Sequence, residues 1–195
     1  MERIREIADV SRRHGLRLHL DGARLWNASV ATGIPERVYA AHFDSVSVCF
    51  SKGLGAPIGS ALCGPRELIQ RARRFRKMFG GGMRQAGIIA AGALHALENH
   101  RQRLAEDHAN ALALAEGLSQ LPGLELDPAS VQTNIVLMRV RKLPAATLAR
   151  ALDEAGLRVL AVGPDTIRAV TNLMVSSEEI TVALEIFESI LGRVL

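Results

Sequence analysis

The alternating run Asp44-Ser45-Val46-Ser47-Val48-Cys49-Phe50 feeds directly into Ser51-Lys52-Gly53-Leu54-Gly55-Ala56-Pro57. Its β-branched alternation predicts a strand running into the interior. That strand constrains the whole chain, because it ends in a lone lysine followed by Gly-x-Gly. Burying an ammonium group costs several kcal/mol unless it is paired or deprotonated. An amine kept neutral by its surroundings is a nucleophile that condenses with carbonyl compounds. The glycines let the backbone turn sharply and come close to a flat ligand. On this stretch alone, a solvated lysine in a strand-to-turn connection is the simpler reading.

A second strand end changes the balance. Leu16-Arg17-Leu18-His19-Leu20 predicts a short strand that delivers Asp21-Gly22-Ala23-Arg24 to its carboxyl end. Ligands of open α/β sheets bind outside the carboxyl ends of strands. If the two strands are parallel, Asp21 and Lys52 share one rim. A carboxylate beside a carbonyl-binding lysine suits pyridoxal phosphate (PLP), because it keeps the pyridine nitrogen protonated and the ring electron-withdrawing. The plainer reading of Asp21-Gly22 is an Asp-Gly turn.

Three stretches in order now carry a resemblance: His19 to Ala28 (HLDGARLWNA), Phe50 to Ser60 (FSKGLGAPIGS) and Gly80 to Gly87 (GGGMRQAG). Together they resemble the threonine aldolases of the PLP-dependent β-eliminating lyase group, the low-specificity L-threonine aldolases in particular, and the likeness extends over essentially the whole chain. It implies an α/β fold of the PLP-dependent transferase-like class (aspartate aminotransferase-like, fold type I). The chain would supply a partial large domain and a small C-terminal α+β domain. The implied reaction is retro-aldol cleavage of L-threonine, L-allo-threonine or a related β-hydroxy-α-amino acid to glycine and an aldehyde. Lys52 would be the catalytic residue and the covalent attachment point of the cofactor, with Asp21 on the ring nitrogen. Arg24 and Arg168 would clamp the substrate carboxylate, Arg24 also touching the cofactor, and Arg84 would meet its phosphate, across a subunit interface in one arrangement.

Residue chemistry agrees in part. Guanidinium forks bind carboxylates in bidentate fashion. Arg168 lies in the apolar run Thr166-Ile167-Arg168-Ala169-Val170, where a clamp and an edge-strand surface arginine are about equally expected. Arg84 follows Gly80-Gly81-Gly82 and is expected to open a helix, a place where phosphates bind. A surface arginine is the alternative there, although the helix dipole does not favour it. Nothing in the sequence names the base for the β-hydroxyl proton. The family's Gly-Thr phosphate turn and its ring-stacking histidine come from a segment upstream of the stretches matched here. The chain is therefore expected to be the later part of a subunit.

Composition narrows the alternatives. With 195 residues, 48% hydrophobic and 23% charged, the chain can bury a core and is not of disordered composition. Cys49 and Cys63 lie in apolar runs, which predicts buried thiols in a reducing compartment. No apolar run spans a bilayer and the charged N-terminus does not resemble a signal peptide, so a soluble cytoplasmic location is expected, with no membrane partner. The net charge of +4 and the cluster Arg71 to Lys77 raise nucleic-acid binding. No nucleic-acid fold signature accompanies them, so a small-molecule amino acid is the expected partner, with a homo-oligomer (dimer or tetramer) implied by the family. No pair of histidines has the setting of a metal site. His100 and His108 read as surface residues and His19 as a core histidine or a support for Asp21.

Periodicity predicts helices over 2–14, 26–31, 65–79, 84–98, 101–121, 144–155 and 177–191. Strands are expected near 16–20, 44–50, 58–63, 134–140, 157–162 and 167–171, the third returning antiparallel. Leu121-Pro122-Gly123 marks the expected boundary between domains 1–121 and 122–195. Two rivals to the aldolase reading stand: a non-catalytic truncated remnant, and a related PLP enzyme performing β-elimination.

Overall fold

The computed structural model describes residues 1–194, which form two compact units, Met1–Gln102 and Arg103–Leu195. The division falls upstream of the boundary expected at residue 121. The reason is the helix at 104–118, whose apolar face belongs to the second unit's core.

In the first unit, helix α1 (Glu2–Arg13) leads through Gly15, at φ +65°, to strand β1 (His19–Gly22). Helices α2 (Leu25–Thr32) and α3 (Glu36–Ala40) follow, separated by Gly33 in the left-handed region and by Pro35. Strand β2 (Ser45–Cys49) pairs parallel to β1, and β3 (Ser60–Cys63) returns antiparallel to β2, giving the order β1-β2-β3. The parallel pair is the one the rim argument requires. Helices α4 (Arg66–Met78), entered through Pro65, and α5 (Gly87–Asn99) complete the unit.

A polar staple sets the start of the parallel pair. The Asp44 carboxylate accepts hydrogen bonds from the Leu18 amide (2.8 Å) and from Arg17 (2.7 Å), while the Asp44 amide donates to the Leu18 carbonyl. Further along, Gly22 is required by close approach: a Cβ there would lie 2.5 Å from the Ser47 carbonyl oxygen. Val46 and Val48 alternate inward and pack with Leu25 and Tyr39. Burial of such side chains is worth roughly 2 kcal/mol each.

The second unit places α6 (Leu104–Leu118), α7 (Ala145–Glu154) and α8 (Ser177–Val194) against a four-stranded antiparallel sheet. Its strands are β4 (Leu124–Glu125), β5 (Ile135–Val140), β6 (Leu160–Ala161) and β7 (Thr166–Val170), in the order β4-β5-β7-β6. Val136, Met138, Ile167 and Ala169 point into a core shared with Leu118, Leu148, Leu152 and Phe187. Helix α6 comes so near α8 that a Cβ on Gly117 would meet Leu184 at 2.5 Å.

Several expectations need correction. Strand β1 begins at His19, so Asp21 lies inside the strand rather than beyond it. Helix α5 starts at Gly87, which leaves Arg84 in the preceding connection. Neither thiol is buried: Cys49 is half-buried and Cys63, on a strand with a single neighbour, is exposed. Among the described residues, no helix is long and apolar enough to cross a membrane.

Candidate active site

The connection after β2 is a tightly bonded turn. The Gly55 amide donates to the Lys52 carbonyl (2.8 Å), the Ala56 amide to the Phe50 carbonyl (3.0 Å), and the Phe50 amide to the Gly59 carbonyl (2.9 Å). Gly55, at φ +71°, closes a bend that other residues resist. The turn is anchored from below by Gly53, Leu54 and Ala56, all buried, with Leu54 only 1% exposed. Ser51 and Lys52 are exposed above it. The expectation of a lysine carried into the interior is therefore corrected. Strand β2 stops at Cys49, and the turn lifts Lys52 onto the rim, where its amine is accessible.

Asp21 is exposed on the neighbouring strand, in register with Ser47. Its Oδ1 accepts the Ala23 amide at 3.1 Å, so the local Asp-Gly turn forms as well. His19, two residues earlier on the same face, bonds Ser45 Oγ through Nδ1 at 2.9 Å and is exposed. It is not a core histidine. Arg24 stands at the N-cap of α2, half-buried, its carbonyl accepting the Ala28 amide. The strand pairing thus brings Asp21, Arg24 and Lys52 to the carboxyl ends of two parallel neighbours.

Arg84 is exposed ahead of α5, beside Gln85 at φ +49°. Arg168 belongs to the second unit. It sits on β7, between β5 and β6, paired with Leu137 and Leu160. It is therefore no edge-strand arginine. Its Nε is buried with no hydrogen-bond partner, although those two leucines are 53% and 52% exposed. An unsatisfied buried donor costs about 1–3 kcal/mol, and a carboxylate is the group that best relieves it.

Sequence reasoning missed the supports beneath this rim. Trp26 Nε1 donates to the Cys49 carbonyl at 3.1 Å, and its ring lies 6.4 Å from that of Phe50. The Arg101 guanidinium covers the Trp26 ring at 5.4 Å and pairs with Glu36. His100, expected at the surface, is half-buried with Nδ1 2.7 Å from the Leu54 carbonyl oxygen. No spacing in the sequence signals a contact between residues so far apart. His108 is also half-buried, and burial lowers its pKa. In the second unit, burial raises the pKa of Asp107, with Arg103 opposing at 2.9 Å. Among the described residues, no group of three or more His, Cys, Asp or Glu side chains is placed to hold a metal ion.

The sequence profile of the family described as Beta-eliminating lyase matches residues 1–141. The chain belongs to that family. Among its relatives, a protein of Arabidopsis thaliana named low-specificity L-threonine aldolase 1 is 39% identical over 96% of this chain and 53% of its own length. A protein of Escherichia coli K12 named low specificity L-threonine aldolase is 41% identical over 98% of this chain and 56% of its own. A solved chain of Listeria monocytogenes EGD-E, provisionally designated an L-allo-threonine aldolase, superposes with a TM-score of 0.80 at 26% identity, covering all of this chain and 56% of that one. The fold is the fold type I α/β architecture that the motifs implied. The chain spans about half the length of the curated relatives it matches.

Proposed function

We propose that this chain carries the lysine-bearing part of a PLP-dependent aldehyde-lyase that cleaves L-threonine or L-allo-threonine to glycine and an aldehyde. The observation that carries the reading is the accessible Lys52 on the same rim as Asp21, at the ends of adjacent parallel strands. It stands in a chain about 40% identical to proteins named low-specificity L-threonine aldolases.

The donor set fits PLP. Lys52 offers an accessible amine, Asp21 an exposed carboxylate for a protonated ring nitrogen, and Arg84 an exposed guanidinium for a phosphate. When bound, the cofactor supplies an electron sink for the carbanion left at Cα. The protein's own residues do the rest. Asp21 would hold the proton on the ring nitrogen and Arg24 would hold the substrate carboxylate, while Arg168, in the second unit, offers an unsatisfied donor of the kind a carboxylate fills. Lys52 would carry a proton at Cα. A homo-oligomer in the cytoplasm is the assembly and location we infer from the same family reading.

The test is to mix the purified chain with PLP, reduce with borohydride and map the labelled peptide. Label on Lys52, absent from Lys52→Ala with unchanged circular dichroism, is the expected outcome. No label on Lys52 overturns the reading and favours a non-catalytic relative. Product analysis with threonine, allo-threonine and phenylserine separates aldol cleavage, which yields glycine, from β-elimination, which does not.

A further inference from the structure

We propose that His100 is a positioning residue for Lys52, acting through the backbone of the turn that carries it. This inference rests on the cofactor role proposed for Lys52. His100 follows the last residue of α5 and reaches across to the Leu54 carbonyl with Nδ1 at 2.7 Å. A carbonyl oxygen only accepts, so Nδ1 carries the proton and the tautomer of the neutral ring is set.

Leu54 offers a grip on this turn that its internal bonds leave open. The turn's internal bonds use the Gly55 and Ala56 amides and the Lys52 and Phe50 carbonyls. Leu54 is almost fully buried, and its carbonyl takes the imidazole N–H. Losing that donor leaves the acceptor short of a partner in a place where water is scarce. The His100 ring is itself oriented, meeting His95 edge-on at 5.3 Å. His95 is bonded in turn to Asn99.

The neighbouring residue does parallel work. Arg101 covers Trp26, whose indole holds the Cys49 carbonyl at the end of β2. One junction after α5 therefore contacts the lysine turn directly through His100 and the strand before it indirectly through Arg101. His100 is the direct arm, and Leu54, the residue it grips, lies two residues along the chain from Lys52.

The experiment compares the full chain with His100→Ala and His100→Asn, the latter keeping an amide donor near the Nδ1 position. Hydrogen exchange is read at the Gly55 and Ala56 amides without cofactor, and borohydride capture of PLP on Lys52 is timed separately. Loss of one hydrogen bond predicts about tenfold faster exchange at both amides in His100→Ala. Exchange in the second unit should stay unchanged, Lys52 capture should slow, and His100→Asn should recover both. Unchanged exchange at Gly55 and Ala56 overturns the proposal, as does faster exchange throughout the first unit that His100→Asn fails to recover. If the amides respond but Lys52 captures no PLP even in the parent chain, the cofactor reading fails while the His100 brace stands.

Discussion

Arg168 shows most plainly how a single residue departs from what its neighbours require. A central strand of an antiparallel sheet favours apolar or neutral side chains, yet β7 carries a guanidinium whose Nε is buried and unpartnered. Such a group lowers stability unless something binds it. Arg168→Met keeps the aliphatic stem and removes the orphan. We expect it to raise the stability of the second unit by about 1 kcal/mol, measured by urea titration of circular dichroism. If Arg168 meets the substrate carboxylate as proposed, the same change in the full-length protein should raise KM for the amino acid on the order of 100-fold. The sequence made this residue visible, because a charge inside Thr166-Ile167-Arg168-Ala169-Val170 is conspicuous. It could not separate an edge from a central position, since that depends on which strand β6 pairs with, and pairing leaves no mark in a strand's own pattern. Lys52 was legible for the same reason as Arg168. Its exposure was not, because the depth of a strand end depends on what lies over it.

At the scale of elements, the parallel pair β1-β2 is the device on which the candidate site depends, and Asp44 fixes its entry. The Leu18 amide, and then the Arg17 guanidinium, hold the Asp44 carboxyl below the ordinary carboxylate value. A depressed folded-state value means that this contribution is present above the ordinary value and is lost as the pH falls through the folded value. Asp44→Asn should therefore be less stable than the parent at neutral pH. The difference should shrink on acidification below the ordinary carboxylate value, as the pH falls through the lowered folded value, as followed by urea midpoints at each pH. Most elements could be read from their pattern: the strand with Val46 and Val48, the helices entered at Pro65 and Pro144, and the antiparallel return at 60–63. The short helix α3 was missed, since five residues are too few for a period to show. The start of α5 was placed early because Met83, Arg84 and Gln85 are reasonable helix formers, whereas Gln85 adopts a positive φ that no helix continues through.

For the whole molecule, the two units differ in how much they bury. The second unit has an extensive core drawn from three helices and three strands, while the first centres on Leu25, Tyr39, Val46 and Val48. Several large apolar side chains of the first unit are exposed, Phe79 and Ile88 at 85% and 86%. We expect native-state hydrogen exchange to find a lower opening free energy for the amides of β2 than for those of β5 and β7. Equal values would mean the chain opens as one cooperative body. The expected boundary at residue 121 missed this division because Leu121-Pro122-Gly123 is a true turn signal inside one unit, whereas the break after Gln102 lies in a short link between two helices and carries no proline or glycine. The chain has one tryptophan and one tyrosine, Trp26 and Tyr39, and both belong to the first unit. Tryptophan and tyrosine emission therefore comes from that unit alone. Because the Trp26 indole is bonded to the last residue of the strand that leads to Lys52, its colour is a label-free gauge of events at that strand end.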